Sequence, residues 1–239
     1  MKKLFALLLC SLLLVSGVAC AAKTANDPNV IVGVLEPGPT WENAKTAELP
    51  ADVAAIFWKA IGEVDGVSYR PFALLGTETA EDRTVYCILT QRTAVMPDAK
   101  PAMMLMFVSV DAEGGAKLLN GAEMPIVPNE GCTRPMTPTE AVTGGWTYAE
   151  DPAITDETAQ RFFDALSDRA GETFEPLVNV GTQVVAGLNR CILCRVTPDE
   201  PGAEPRYAFV YVWEKLDGTT ELLEPLYDFS YGDLCADDR

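Results

Sequence analysis

Histidine is absent from this chain of 239 residues. Without it no Ser-His-Asp or Cys-His nucleophile can be assembled, no zinc or haem can be held through imidazole, and no imidazole can relay protons. Basic side chains are scarce, 18 against 35 acidic ones, which leaves a formal charge of −17. A phosphate backbone demands clustered cations, so a nucleic-acid partner is not expected. Carboxylate-pair and thiol chemistry remain open. The adjacent acids Glu81-Asp82, Glu150-Asp151, Asp156-Glu157 and Asp199-Glu200 fall in predicted loops or a first helical turn, where solvated surface charge is the simpler reading. The chain is therefore not read as an enzyme, and neither cofactor nor metal is expected. Hydrophobic residues make up 48% of it, which is globular rather than disordered composition.

What is present begins with an export signal over residues 1–20. Lys2 and Lys3 form a basic start, and Leu4 to Val15 is an apolar run of 12 residues, against the ~20 needed to span a membrane. Two processing routes stay open. Cleavage follows Ala19-Cys20-Ala21, or Gly17-Val18-Ala19-Cys20 acts as a bacterial lipobox and Cys20 becomes the lipid-modified N-terminus. Residues 21–33 read as a polar tether. The mature chain is expected outside the cell, secreted or as a surface lipoprotein, meeting the membrane only through a lipid on Cys20.

The chain repeats itself. Phe57-Trp58-Lys59-Ala60-Ile61 recurs 105 positions later as Phe162-Phe163-Asp164-Ala165-Leu166, and the same offset pairs Trp41 with Trp146, Gly66 with Gly171, Pro71 with Pro176 and Gly76-Thr77 with Gly181-Thr182. After a slip of one residue, Cys87-Ile88-Leu89 matches Cys191-Ile192-Leu193. The expected organisation is a first domain over 34–132, a Pro- and Thr-rich linker over 133–143, and a second domain over 144–239. In each, one helix carries apolar residues at helical spacing: Ala54, Phe57, Trp58, Ile61, then Ala159, Phe162, Phe163, Leu166. Thr155 is its expected N-cap in the second half, with Gly66 and Gly171 as stops. Four strand-like runs follow, in the second half Glu175–Val185, Leu188–Val196, Arg206–Lys215 and Thr219–Tyr227, with a hairpin turn at Asp217-Gly218. The expected fold class is α+β: two tandem domains, each one helix on a four- to five-stranded antiparallel sheet.

The third run alternates without polar residues. Phe209, Tyr211 and Trp213 share one face and Ala208, Val210 and Val212 the other, while Met103, Leu105 and Phe107 oppose Met104, Met106 and Val108. One face covers the helix. The other meets the sister half, a partner, or solvent as an exposed aromatic patch.

Cysteines follow the repeat. Cys87 to Cys132 spans 45 positions and Cys191 to Cys235 spans 44, so one disulfide per half is expected, each worth roughly 4 kcal/mol in the chain-entropy model. Cys194 is left over, free, intermolecularly paired, or exchanged with Cys191 as the partner of Cys235. The Cys191-x-x-Cys194 spacing lies within a strand rather than at a helix N-terminus, so a structural role is expected, not a redox one.

Between the first two strand runs of the second half stands Gln183-Val184-Val185-Ala186-Gly187, two β-branched residues leading into a small-residue turn. With Asn189 two residues beyond it and Gly144-Gly145 ahead of the helix, this stretch resembles the cystatins, and the single-domain stefins in particular, over roughly Gly144 to Tyr231. The resemblance implies tandem cystatin-like domains and a tight, reversible inhibitor of papain-like cysteine peptidases. Its wedge is formed by Gly144 and Gly145, by Gln183, Val184, Val185, Ala186 and Gly187, and by the second hairpin at Leu216 to Gly218. A preformed apolar edge of this kind blocks a cleft at little ordering cost. The second hairpin lacks the Pro-Trp pair of secreted cystatins. The first half has Glu78-Thr79-Ala80-Glu81-Asp82 at the motif's place, and burying those carboxylates in a cleft is costly, so that half is expected to be non-inhibitory. The alternative expectation is a surface binding protein that keeps the scaffold without inhibiting.

Overall fold

A computed structural model of the chain describes residues 41–46, 48–62, 65–128, 137–138 and 144–229. The export signal, Cys20, the tether, Cys132, Cys235 and most of the linker lie outside these residues. In chain order the elements are β1 (Trp41–Asn43), α1 (Ala51–Ile61), β2 (Val67–Thr79), β3 (Arg83–Ala94), β4 (Ala102–Asp111), β5 (Ala116–Glu123), β6 (Trp146–Tyr148), α2 (Asp156–Ala165), β7 (Glu172–Val185), β8 (Gly187–Pro198), β9 (Arg206–Lys215) and β10 (Thr220–Phe229). They form two five-stranded antiparallel sheets, β1-β2-β3-β4-β5 and β10-β9-β8-β7-β6.

The repeat read in the sequence is physical. Trp41 pairs with Glu78 and Trp146 with Gln183, both at the 105-residue offset. The same irregularities recur in the long first hairpins, between Pro71 and Ala73 and between Leu74 and Gly76 in β2, then between Pro176 and Val178 and between Asn179 and Gly181 in β7. Proline has no N–H for the ladder, so each strand kinks where it sits.

The expectation of two tandem cystatin-like domains, each complete as one helix on its own sheet, is overturned. Among the described residues the protein is mostly β, its two helices hold only 11 and 10 residues, and these residues belong to one compact unit. Its largest core lies between the two sheets. Met103, Leu105 and Phe107 of β4 and Tyr207, Phe209 and Tyr211 of β9 are all buried there, together with Leu75, Leu89, Val180 and Leu193. The cause is the unbroken apolar alternation of β4 and β9, whose second faces bury against each other rather than against solvent. Each such side chain contributes about 1.5–3 kcal/mol by leaving water. Smaller cores back the sheets: Val53 and Phe57 of α1 with Ile88, Met104, Met106 and Val108, and Phe162 of α2 with Leu166, Ile192, Val196 and Val210.

The helices differ from expectation in their exposed aromatics. Trp58 and Phe163 stand in solvent on the outer side, each edge-on to the buried ring before it, at centroid distances of 5.2 and 5.3 Å. The α2 cap is as expected, with the Thr158 amide donating to Thr155 Oγ1 at 3.1 Å. Helix α1 stops earlier than expected, at Gly62 in a left-handed conformation, while Gly66 and Gly171 open the strands β2 and β7.

Buried hydroxyls and amides join the sheets. Tyr207 Oη donates to the Leu75 carbonyl at 2.8 Å, Tyr211 Oη to Ile126 at 3.0 Å, and Tyr148 Oη to Met124 at 2.8 Å. Gln91 Nε2 donates to the carbonyls of Ala149 and Glu150 at 3.1 and 3.0 Å. In the first sheet, Leu75 lies toward the β2–β3 turn and Gln91 toward the β3–β4 turn. Their partners in the second sheet run the other way, from Tyr207 near the β8–β9 turn, bonded to Leu75, to Ala149 and Glu150 just past β6, bonded to Gln91. The halves therefore stack with opposite polarity.

Candidate functional site

The three segments singled out in the sequence meet at one end of the second sheet. Strand β7 ends at Val185 and β8 begins at Gly187, so Ala186 alone turns the chain, with Val184 opposite Leu188. On one side, Gly144 and Gly145 lead into β6, whose Trp146 pairs with Gln183. On the other, Lys215 pairs with Gly187 and is followed by the turn of Leu216, Asp217 and Gly218. Adjacent strands thus bring the three segments side by side.

Side chains tie them together. Gln183 Nε2 donates to the Gly144 carbonyl at 2.9 Å, and Asn189 Nδ2 donates to Gln183 Oε1 at 2.9 Å. On the far flank, Trp213 Nε1 donates to the Ala186 carbonyl at 3.1 Å. The Lys215 ammonium lies 4.9 Å from the centre of the Trp213 ring and 2.6 Å from Glu221. Gly187 has φ +118°, and a Cβ there would sit 2.1 Å from the Glu214 carbonyl oxygen, so no side chain fits. In the second turn, the Asp217 carboxylate accepts from the Thr219 hydroxyl at 2.7 Å and the Thr219 amide at 3.0 Å. The hydroxyl first, then the amide, holds that carboxyl below its usual range.

The edge so fixed is apolar at its tips. Val184 is 71% exposed, Val185 39% and Leu216 85%, in a chain whose charge is −17. Exposed aliphatic tips on hairpins tied by such cross-strand bonds are surfaces that gain by docking. At the matching place in the first half, the three residues Ala80, Glu81 and Asp82 bridge β2 and β3, with the Ala80 amide bonded to the Arg83 carbonyl at 2.9 Å. Both carboxylates there face solvent.

Among the described residues no disulfide is present. Cys87 and Cys191 are free and buried in the core between the sheets, and their expected partners lie outside the described residues. Cys194 is also free and faces the α2 side, opposite to Cys191 as strand parity predicts. Burial pushes all three thiols above their ordinary range, which leaves them protonated and unreactive. Among the described residues, no group of three or more Cys, Asp or Glu is placed to hold a metal ion, and no helix is long and apolar enough to cross a membrane.

Sequence reasoning named the tips but missed Trp213 as the prop of the Ala186 turn. It read Trp213 only as one more aromatic in a strand, since a cross-strand bond to a turn carbonyl leaves no periodic trace. No protein-family model, curated protein or solved structure matches this chain.

Proposed function

We propose that this chain is an exported, reversible inhibitor of papain-like cysteine peptidases, acting through the hairpin from Gln183 to Gly187. The observation that carries the reading is the convergence of the two glycines, the hairpin and the Leu216 turn on one edge, held by the Asn189–Gln183–Gly144 hydrogen bonds. Such an edge enters a cleft without ordering cost and offers the nucleophile a closed turn rather than an extended peptide bond. Val184, Val185 and Leu216 would supply the apolar contact, while Trp213 and Gly187 fix the turn's shape. Nothing in this mode of action asks for the histidine the sequence lacks.

Titration of papain with the mature chain tests the reading. The unmodified protein is expected to inhibit reversibly and stoichiometrically, and Val185→Asp is expected to weaken inhibition about 30-fold or more, the effect of burying an unpaired charge at a central contact. If the unmodified chain leaves papain and related peptidases fully active, the reading is wrong, and the edge serves a non-inhibitory binding role.

A further inference from the structure

We infer that the β3–β4 hairpin of the first half is a second contact for the same peptidase, so that both halves build the docking end. The inference rests on the inhibitor reading above. Seven large apolar side chains are exposed among the described residues: Trp58, Val95, Met96, Phe163, Val184, Val185 and Leu216. Trp58 and Phe163 lie on the helices, and the other five in or directly beside hairpin turns. Val184, Val185 and Leu216 belong to the proposed wedge. Val95 and Met96, 71% and 64% exposed, belong to the turn joining β3 to β4.

Those turns leave the molecule at the same end. Gln91 of β3 bonds to Ala149 and Glu150, and the Ala149 amide bonds to the Val180 carbonyl of β7, which puts Gln91 level with Val180 and Gly181. Because the halves stack with opposite polarity, β3 runs on from that level toward Val95 as β7 runs on toward Val185. The step from Gln91 to Val95 and that from Gly181 to Val185 are equal in residues, and at ~3.4 Å each both tips stand roughly 13 Å beyond the shared level. At the shared level, short of the tips, lies a cleft of about 590 Å³ whose walls include Arg92, Lys100 and Pro101 of the first half and Trp146, Thr147 and Thr182 of the second.

The opposite end has a different character. The Glu81-Asp82 turn of the first half and the Asp199-Glu200 turn of the second lie at that end, and all four acids are exposed. The exposed tips Val95, Met96, Val184, Val185 and Leu216 thus gather at one end, from the β3–β4 turn of the first half and the β7–β8 and β9–β10 turns of the second, while acids of both halves mark the other. A peptidase whose cleft takes the Val185 hairpin would place one wall of that cleft in the gap beside β6, where Val95 and Met96 reach its outer surface.

The test compares inhibition constants of four proteins against one papain-like peptidase: the unmodified chain, Val185→Asp, the double variant Val95→Asp/Met96→Asp, and the opposite-end control Glu81→Gln/Asp82→Asn. The hairpin variant is expected to inhibit at least tenfold less well, and the control to match the unmodified chain. A Val95→Ser/Met96→Ser variant, which keeps the turn uncharged, is expected to weaken inhibition in the same direction. Hydrogen exchange on the complex should show new protection at residues 94–97 as well as 184–187. If both hairpin variants inhibit like the unmodified chain while Val185→Asp does not, the second contact is overturned and the wedge reading stands. If the unmodified chain does not inhibit at all, both fall together.

Discussion

Gly187 concentrates several constraints in one residue. Its backbone takes φ +118°, and the space where a Cβ would go is occupied by the Glu214 carbonyl and by Trp213 Nε1, the atom that bonds Ala186. A methyl group there strains the backbone and displaces the prop at once. Gly187→Ala is therefore expected to lower stability by about 1–3 kcal/mol and to weaken inhibition more than tenfold, read by urea unfolding and by papain titration. Unchanged values in both would show that the turn adapts and that its shape is not fixed by this position. The residue-level part of the site was legible because glycine, glutamine and valine at fixed spacing are a local pattern. The prop Trp213 was not, because it acts across strands, at a sequence distance of 27 residues.

At the scale of elements, β9 decides the architecture. Tyr207, Phe209 and Tyr211 face the first sheet, while Ala208, Val210 and Val212 face the α2 side, and all six are buried. The alternation is visible in the sequence, and the sister half is one of the surfaces such a strand can meet. What periodicity could not show is which surface a second apolar face meets, since that depends on how two halves stack and not on either strand alone. Taking each half as complete was the consequence. The second half alone, residues 144–239, would expose the side of β8 and β9 that now packs on Met103, Leu105 and Phe107, forfeiting about 1.5–3 kcal/mol for each large side chain uncovered. It is expected to associate or aggregate rather than persist as a folded monomer, as judged by light scattering and amide dispersion in NMR. A sharp, monomeric spectrum of the isolated half would contradict the shared core.

For the whole molecule, the buried titratable groups set how stability follows pH. Burial raises the thiols of Cys87, Cys191 and Cys194, pushes Tyr207 up to about 12, and raises Tyr211 further. In the unfolded chain thiols ionise near ~8.5 and tyrosines near ~10. The folded state therefore keeps protons that the unfolded state gives up. Stability from these groups is intact below about pH 8.5 and declines as pH rises, by up to about 1.4 kcal/mol per pH unit for each group ionised only when unfolded. Urea unfolding at pH 7, 9 and 10.5 should show that decline; a flat or rising profile would mean that these groups are not buried as described.

The central strands of both sheets bury side chains on two faces, so little along their length is free to change without opening a void. The turns carry no such double obligation. The two copies of the repeat bear this out within one molecule: their kinks and pairings coincide, whereas the corresponding turns read Ala80-Glu81-Asp82 in one and Ala186 in the other. A duplicated scaffold of this design is a frame with interchangeable corners. New recognition chemistry can be written at any of its hairpins while the interior stays fixed, and an end-for-end stack gives each end of the molecule corners from both copies to write with.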